Sequence, residues 1–280
     1  MIYKKKMKRQ ILAILSLLCL PLVAAPKMPV RGLCAHRGDS AAFPENTVPA
    51  IEASAKKGAA MVEIDVKRCK TGELVLMHDS SVDRTTTGKG IISNLTFEAI
   101  RSFDAGVKKD PKFAGTKVPT FDEAIDCLPK EGIWVNIHCK EADVAREVTA
   151  KLKEKGRVGQ SFITGRENIA KAAREVVPDI KVCVFYRPGG GYVKKFTDEV
   201  LQAYVDYAKR NNFQFIQHGK ALRDAPAYRD FRAHGGMVNY CFANTEEDAK
   251  KIYALGLDFA LTDNLDAMLP FFPTRFADEK

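Results

Sequence analysis

The sequence predicts an α/β protein whose fold class is a (β/α)8 TIM-type barrel with a small inserted cap. Eight short apolar runs alternate with segments of helical periodicity, which is the pattern of βα units around a parallel sheet. About 255 residues remain once an N-terminal leader is set aside, close to the roughly 250 residues of one barrel. An open doubly wound sheet is the alternative, and the sequence lacks the glycine fingerprint of that fold.

Residues 1–25 are predicted to be a signal peptide. MIYKKKMKRQ is basic, and ILAILSLLCLPLVAA is a short apolar run that ends in small residues, which is typical of a leader cleaved near Ala24 or Ala25. The run is shorter than the ~20 apolar residues of a membrane span, so we expect an exported protein, periplasmic or extracellular, without a span after cleavage. Lipidation at Cys19 is disfavoured because Leu18 is larger than the usual preceding residue.

The charge of the chain excludes one class of partner. Removal of the five cations of the leader lowers the formal net charge from +9 to +4. The remaining lysine and arginine residues are scattered rather than clustered. We therefore expect no nucleic-acid partner, although a local basic pocket for an anionic small molecule is allowed.

The cysteines are predicted to be buried thiols. Six remain outside the leader, an even number that would permit disulfides in an exported protein. Four of them lie in apolar strand-like runs, where a free cysteine behaves as a small hydrophobe, namely Cys34, Cys139, Cys183 and Cys241. The absence of a CxxC pair disfavours a cysteine zinc site.

The predicted elements follow the chain in a regular order. The apolar runs predict strands at residues 32–36, 61–66, 133–138, 161–164, 181–186, 213–217, 237–242 and 258–262. Helical periodicity between them predicts helices at residues 47–57, 121–128, 142–155, 166–176, 197–211, 222–234 and 245–255, with a short last helix after Asn264.

The second strand departs from this repeat because a hairpin is predicted after it. Val and Ile residues alternate with acids, so Glu63 and Asp65 share one face of the strand. A tight turn is predicted at the Thr-Gly pair of RCKTGELVLM. If Lys70 pairs with Glu73, then His78 lies opposite Asp65, and the acids and the histidine converge.

The segment 80–119 is the second departure and is predicted to be a cap. It contains LTFEAI, a helix that we expect Thr96 to cap, between loops. A long excursion at the carboxyl rim of a barrel usually has a functional role. Residues 26–280 are thus expected to form one domain that includes this cap.

Titratable residues collect at the predicted carboxyl ends of the strands, where the active sites of such barrels lie. The set comprises His36, Arg37, Glu63, Asp65, His78, Asp79, Asn136, His138, Lys140, Thr262, Asp263 and Asn264. Any one of these could be an ordinary loop residue, but a collection from several strands predicts a site.

Glu63 and Asp65 point into the predicted barrel, where two unpaired carboxylates would cost several kcal/mol. A divalent cation would remove this cost, and oxygen ligands favour Mg²⁺ or Ca²⁺. The alternative is that Lys67 or Lys140 neutralises the acids.

Four further side chains indicate the chemistry of the substrate. Arg37 and Lys140 suit an anionic phosphate group. Two imidazoles beside a phosphate, His36 and His78, would make an acid–base pair, because each titrates near neutral pH.

At these residues the sequence resembles the glycerophosphodiester phosphodiesterase family. The motifs HRG, PENT, E-x-D, HD and RTT occur in order between residues 32 and 90, and a looser similarity extends to ALTDN. The resemblance implies a (β/α)8 barrel with a small cap. It also implies metal-dependent hydrolysis of glycerophosphodiesters to glycerol 3-phosphate and an alcohol. By position it makes His36 and His78 the general acid and base, Glu63 and Asp65 metal ligands, and Arg37 a phosphate ligand.

One position departs from the family's pattern. The third strand usually reads Asn-Ile-Glu-x-Lys, with the glutamate as a metal ligand, whereas this chain has NIHCK, with His138 in that place. A neutral imidazole would weaken Mg²⁺ or Ca²⁺ and shift preference towards Mn²⁺ or Zn²⁺, unless His138 makes no metal contact. The tryptophan often found near the end of strand seven is also replaced, by Cys241.

Two alternative functions remain open at this point. One is a phosphodiesterase with the same barrel that acts on a different phosphodiester or a lipid headgroup. The other is a non-catalytic binding barrel with a weakened metal site. Retention of both histidines argues against the second.

Overall fold

The computed structural model describes residues 27–185, 196–219 and 225–277, and within them eight parallel strands close into a barrel. β1 pairs with both β2 and β9, which completes the ring. The strands, including the antiparallel β3 outside the barrel, are β1 (Gly32–Ala35), β2 (Met61–Arg68), β3 (Leu74–Leu76), β4 (Trp134–Cys139), β5 (Ser161–Gly165), β6 (Lys181–Val184), β7 (Phe215–His218), β8 (Met237–Cys241) and β9 (Phe259–Thr262). The predicted fold class is confirmed.

Helices follow the barrel strands and lie outside them. In the described residues they are α1 (Val48–Lys56), α2 (Phe97–Ser102), α3 (Phe121–Asp126), α4 (Ala142–Glu154), α5 (Glu167–Val176), α6 (Asp198–Arg210), α7 (Pro226–Ala233), α8 (Glu246–Ala254) and α9 (Leu265–Met268). α4 shows why they pack: Val144, Val148 and Leu152 recur every four residues and are buried on one face. Among the described helices, none has the length and apolar character that crossing a bilayer requires.

Predicted and observed element boundaries agree to within a few residues. The largest difference falls at the start of α7, and the end of β6 differs by two residues. Part of each predicted range, residues 222–224 and residue 186, lies outside the described residues.

The hairpin after β2 has a register one residue different from the predicted one. β2 pairs with β3 as Val66↔Leu76, Lys67↔Val75 and Arg68↔Leu74. The Cys69 amide donates to the Glu73 carbonyl oxygen, so the turn holds residues 70–72 rather than two residues. Its last residue is a glycine with φ 109°, a conformation that favours glycine. The predicted pairing is therefore wrong, because His78 lies one position beyond the residue that faces Asp65.

The segment 80–119 packs against the hairpin through a small apolar cluster of its own. Its buried members are Cys69, Val75, Met77, Val82, Ile92, Ile100, Ala105 and Val118. α2 lies within the segment, and Thr96 Oγ1 accepts a hydrogen bond from the Ala99 amide at 3.3 Å, as the capping pattern predicts. The cluster anchors this segment beside the carboxyl end of β2.

The interior of the barrel is apolar at the amino-terminal ends of the strands. Residues at or near the start of their strands fill it, including Met61, Trp134, Phe162, Phe215 and Phe259. The rings of Phe162 and Phe215 stack with centroids 4.2 Å apart. The titratable side chains Glu63, Asp65 and His138 lie further along their strands, towards the carboxyl end. The six described cysteines are free thiols.

Candidate active site

The residues predicted for the site lie around the carboxyl ends of β1, β2 and β4 and in the hairpin after β2. Parallel pairing of β2 with β4 places Asp65 beside His138 and Glu63 beside Asn136. The predicted residues located here are His36, Arg37, Glu63, Asp65, His78, His138 and Lys140. His78 joins them although its predicted pairing is wrong, because the hairpin brings it close enough for the Asp65 charge to act on it.

Glu63, Asp65 and His138 form a compact group with the composition of a metal site. One potential ligand atom from each lies within 4.8 Å of the other two. Both carboxylates are buried, with Glu63 3% and Asp65 1% exposed. His138 Nδ1 lies 3.2 Å from Asp65 Oδ1 and 3.8 Å from Glu63 Oε1.

The electrostatics of this group favour a bound cation. Burial and the charge of Asp65 raise the pKa of Glu63 to about 7. Burial opposes ionisation of Asp65 as well, but the contact with His138 holds the pKa of that carboxyl below its usual range. Asp65 Oδ1 is buried and accepts no hydrogen bond within the described part of the chain. An acceptor in this state, beside a second buried acid and an imidazole, fits a divalent metal ion.

Neither lysine considered as a counter-ion pairs with these acids in the described residues. Lys140 Nζ donates instead to the carbonyl oxygen of His78 at 2.8 Å. Lys67 forms no ion pair with Glu63 or Asp65 across the described ranges. The cation closest to them is Arg37, whose Nε lies 3.4 Å from Asp65 Oδ2.

The chain turns sharply after β1, and this turn presents His36 and Arg37 to the site. Arg37 has φ 58°, and its amide donates to Glu63 Oε2 at 3.0 Å. Gly38 follows with φ 82°, and a Cβ on it would lie 2.6 Å from the Cβ of Ala50. Only glycine therefore lets α1 approach the turn this closely.

Asn46 orients Asp65, a role that sequence reasoning missed. Its Nδ2 donates to Asp65 Oδ2 at 3.0 Å, and its Oδ1 accepts from the Asp65 amide at 3.0 Å. The Thr47 side chain makes no cap, since its hydroxyl donates to the Pro44 carbonyl oxygen. The sequence feature that could have indicated this contact is the amide residue Asn46 within the PENT motif.

His36 is held by Asp263, which the sequence placed at the rim without a role. His36 Nδ1 lies 2.7 Å from Asp263 Oδ1. Asp263 is itself held by Ser40 Oγ at 3.2 Å and by Asn244 Nδ2 at 3.2 Å. Burial acts against protonation of His36, but the hydrogen bond to Asp263 and the negative charges of Glu63 and Asp263 together outweigh it and raise the pKa of the imidazole.

His78 is held in the same way by its neighbour Asp79, with Nδ1 2.7 Å from Oδ1. Here the balance is reversed. Burial, together with the positive charges of Arg37 and Lys140, outweighs Asp79 and lowers the pKa of His78. The pKa values of the two histidines are therefore shifted in opposite directions, that of His36 upwards and that of His78 downwards.

Arg84 ties these groups together from the cap. Its guanidinium donates to Asp79 Oδ2 at 2.7 Å and to both carboxylate oxygens of Glu45, at 2.7 and 2.8 Å. Glu45 in turn accepts from Arg37 Nη1 at 2.9 Å. Arg84 belongs to the RTT motif, but only the folded structure shows that it links the cap to the loop after β1.

Two aromatic rings border the site. Phe242 is 54% exposed, and its ring lies edge-on to His36 at 4.8 Å between centroids. Phe185 lies 5.5 Å from His138 in a similar arrangement. Phe242 follows Cys241, so an exposed aromatic ring stands next to the position where the sequence lacks the expected tryptophan.

Comparisons with known proteins agree with this geometry. A model of the glycerophosphoryl diester phosphodiesterase family matches residues 36–267. A glycerophosphodiester phosphodiesterase of Bacillus subtilis is 28% identical over 277 residues, covering 91% of this chain and 92% of the relative. A glycerophosphodiester phosphodiesterase of Caldanaerobacter subterraneus is 34% identical over 161 residues, covering 55% of this chain and 66% of the relative.

Solved structures show the same fold. The glycerophosphodiester phosphodiesterase from Agrobacterium tumefaciens superimposes with a TM-score of 0.72 at 21% identity, covering 86% of this chain and 99% of its own. An Oleispira antarctica phosphodiesterase, solved with the product sn-glycerol-3-phosphate, gives a TM-score of 0.71 at 24% identity, covering 84% of this chain and 93% of its own.

Proposed function

The chain belongs to the glycerophosphoryl diester phosphodiesterase family of hydrolases, and we propose that it is an exported, metal-dependent enzyme of lipid breakdown that hydrolyses glycerophosphodiesters to glycerol 3-phosphate and an alcohol. One observation carries the proposal. The buried carboxylates of Glu63 and Asp65 and the partly buried His138 lie at the same barrel rim as two further histidines, each hydrogen-bonded through Nδ1 to a carboxylate.

Glu63, Asp65 and His138 would hold the metal ion. A bound divalent cation supplies charge stabilisation for a phosphate oxygen and lowers the pKa of a coordinated hydroxyl. Mg²⁺ and Ca²⁺ suit the two carboxylates, whereas His138 favours Mn²⁺ or Zn²⁺. Arg37 and Lys140, the two cations predicted for phosphate, would bind the remaining phosphate oxygens.

The opposite pKa shifts of the two histidines support an assignment of roles. His78, whose pKa is lowered, is neutral near pH 7 and suits the general base. His36, whose pKa is raised, suits the general acid. In each case Nδ1 is engaged by a carboxylate, so Nε2 is the atom that accepts or delivers the proton.

The proposed reaction has two steps. The Nε2 atom of His78 takes the proton of a glycerol hydroxyl as that oxygen attacks phosphorus, and the His36 Nε2 proton goes to the departing alcohol oxygen. A cyclic glycerol phosphate results. Water then opens the ring with the roles of the histidines exchanged, which restores both protonation states and releases glycerol 3-phosphate.

The test is release of glycerol 3-phosphate from glycerophosphocholine. The enzyme is treated with EDTA and then supplied with Mg²⁺, Ca²⁺, Mn²⁺ or Zn²⁺ in turn. We expect no release with EDTA and recovery with at least one ion. His36→Ala and His78→Ala should each abolish release while the circular dichroism spectrum is unchanged. Release that persists in EDTA would contradict the metal requirement, and near wild-type rates in either variant would contradict the acid–base roles.

Export rests on residues 1–25, which lie outside the described residues. We expect the full chain to be cleaved near Ala24 or Ala25 and to appear in the periplasm or the medium. The measurement is the N-terminal sequence of the protein recovered from each fraction. Recovery of an uncleaved chain from the cytoplasm would contradict export.

A further inference from the structure

A cleft of about 180 Å³ lies between the cap and the loop that joins β1 to α1. Three cationic side chains line it, Arg84, Lys108 and Lys109, whereas Glu45 is the one carboxylate among its lining residues. The lining therefore carries a net formal charge of two. This cleft is distinct from the Glu63–Asp65–His138 group, with which it shares no residue.

The single carboxylate of the cleft is already neutralised. Glu45 accepts hydrogen bonds from Arg84 at 2.7 and 2.8 Å and from Arg37 at 2.9 Å. Burial would raise the pKa of Glu45, but these arginines hold it below its usual range, so the carboxylate stays ionised and paired. Glu45 is therefore paired with the two arginines and does not neutralise Lys108 or Lys109.

Lys108 and Lys109 are held in place without a counter-ion. The Nζ of Lys108 donates to the carbonyl oxygen of Asp83, and the Nζ of Lys109 donates to that of Ser40. Within the described residues, no carboxylate lies within 4.0 Å of either ammonium group. Each ammonium group has three donors and uses one of them in these bonds. Two positioned cations therefore face the cleft with donors available for an anion.

The cleft adjoins the candidate site at two points. Ser40 lines the cleft, and its hydroxyl donates to Asp263, the carboxylate that holds His36. Glu45 lines it as well and accepts from Arg37, the cation predicted for the substrate phosphate. In a glycerophosphodiester a further anionic group is carried by the alcohol rather than by the glycerol, so the alcohol is the part of the substrate that can bring an anion to the cleft.

We infer that this cleft is a subsite for an anionic group, a phosphate or a carboxylate, carried by the leaving alcohol. The inference rests on the proposed function, since it names the class of glycerophosphodiester that the same site prefers. Lys108 and Lys109 are specificity-determining residues in this scheme. Substrates with an anionic headgroup are favoured over neutral or cationic ones such as glycerophosphocholine.

The experiment compares two substrates that differ by one phosphate, glycerophosphoinositol and glycerophosphoinositol 4-phosphate. The quantity measured is the ratio of their kcat/KM values with the metal-loaded full enzyme. We expect the wild type to prefer the phosphorylated substrate. The double variant Lys108→Ala/Lys109→Ala should lower the ratio about tenfold, equivalent to about 1.4 kcal/mol, while kcat/KM for glycerophosphoinositol is unchanged.

Two further variants make the test specific. Lys112→Ala removes a cation from the same cap, but Lys112 lies beside Asp110 at 3.6 Å and does not line the cleft. It should leave the ratio at the wild-type value. Lys108→Arg/Lys109→Arg keeps both charges and should retain the preference. Because glycerophosphoinositol reports on folding and chemistry in each variant, a general loss of activity is separated from a loss of the subsite.

The outcomes distinguish this inference from the function on which it rests. If the wild type hydrolyses no glycerophosphodiester with any metal, the proposed function fails. If it hydrolyses both substrates with a ratio that the double alanine variant leaves unchanged, the function stands and the subsite is refuted. An equal fall in the ratio with Lys112→Ala would also refute the subsite, because it would reflect the overall charge of the cap.

Discussion

Replacement of Asp263 by asparagine is expected to move the alkaline limb of the pH–rate profile to lower pH. His36 Nδ1 lies 2.7 Å from Asp263 Oδ1, and this carboxylate, with the charge of Glu63, overcomes the effect of burial and raises the pKa of His36. If His36 is the general acid, activity is present below its pKa and is lost as the pH rises through it. A lower pKa therefore brings the loss of activity to a lower pH.

The size of the shift follows from the exposure of the pair. Opposite charges about 4 Å apart attract by about 1 kcal/mol in bulk water and about 4 kcal/mol near a protein surface. The Asp263 side chain is 42% exposed, so the lower part of that range applies, about 1 to 2 kcal/mol. With about 1.4 kcal/mol per pKa unit, loss of the charge should lower the pKa of His36 by about one unit.

The new amide is expected to act in the same direction. Asp263 Oδ2 accepts from Asn244 Nδ2 at 3.2 Å, whereas Oδ1 faces His36. An asparagine that keeps its oxygen towards His36 would therefore place its NH₂ group against a second donor. If the asparagine amide is flipped instead, its NH₂ group faces the imidazole and favours the neutral form of His36. Neither orientation restores the interaction that stabilises the imidazolium.

The assay is kcat for glycerol 3-phosphate release between about pH 5 and pH 10, at saturating metal. Asp266→Asn is the matched control, because Asp266 is 70% exposed and pairs with Lys57 at 2.7 Å. This control should leave the profile unchanged. An alkaline limb that stays at the wild-type position in Asp263→Asn, with circular dichroism unchanged, would refute the assignment of His36 as the acid.

The remaining predictions test other parts of the site and the fold. Asp79→Asn should shift the acid limb of the same profile to lower pH, because Asp79 raises the pKa of His78 and activity appears as pH rises through it; an unshifted limb would exclude His78 as the base. His138→Glu should tighten Mg²⁺ binding about tenfold in a calorimetric titration, because a carboxylate adds charge to the site, and equal affinity would remove His138 from the ligands. Leu152→Ala should lower the free energy of unfolding in urea by about 2 to 5 kcal/mol, because Leu152 is 0% exposed, whereas exposed Lys153→Ala should change it little.

The barrel could be predicted from the sequence because its evidence is local. Each strand is a short apolar run, and each helix shows an apolar face at helical spacing, as in α4. The hairpin register could not be predicted, because it depends on whether the turn holds two or three residues. Residues 70–72 form a three-residue turn that includes a glycine at positive φ. The one additional turn residue changes the pairing partner of every residue in the return strand.

The sequence predicted those residues of the candidate site that lie in recognisable motifs. Glu63 and Asp65 were found because the period of two places them on one face of a strand, and His138 because it occupies the position of a glutamate ligand in the family that the sequence resembles. Several contacts that hold the site residues could not be predicted, because they join distant parts of the chain. His36 and Asp263 are 227 residues apart, and only closure of the barrel between β9 and β1 brings them together.

Two features make the surroundings of the substrate more positive. One is His138, which stands where the family pattern has a glutamate, and the other is the lysine-lined cleft. With His138 as a ligand, as proposed above, the site would carry one negative charge fewer than with a glutamate, and the cleft adds two lysines that have no carboxylate partner in the described residues. A neutral ligand would weaken metal binding but would leave the bound ion with a higher residual charge. In this proposal an anionic substrate is attracted both by the ion and by Lys108 and Lys109. Binding of a substrate with a second negative charge would then compensate for the weaker metal site.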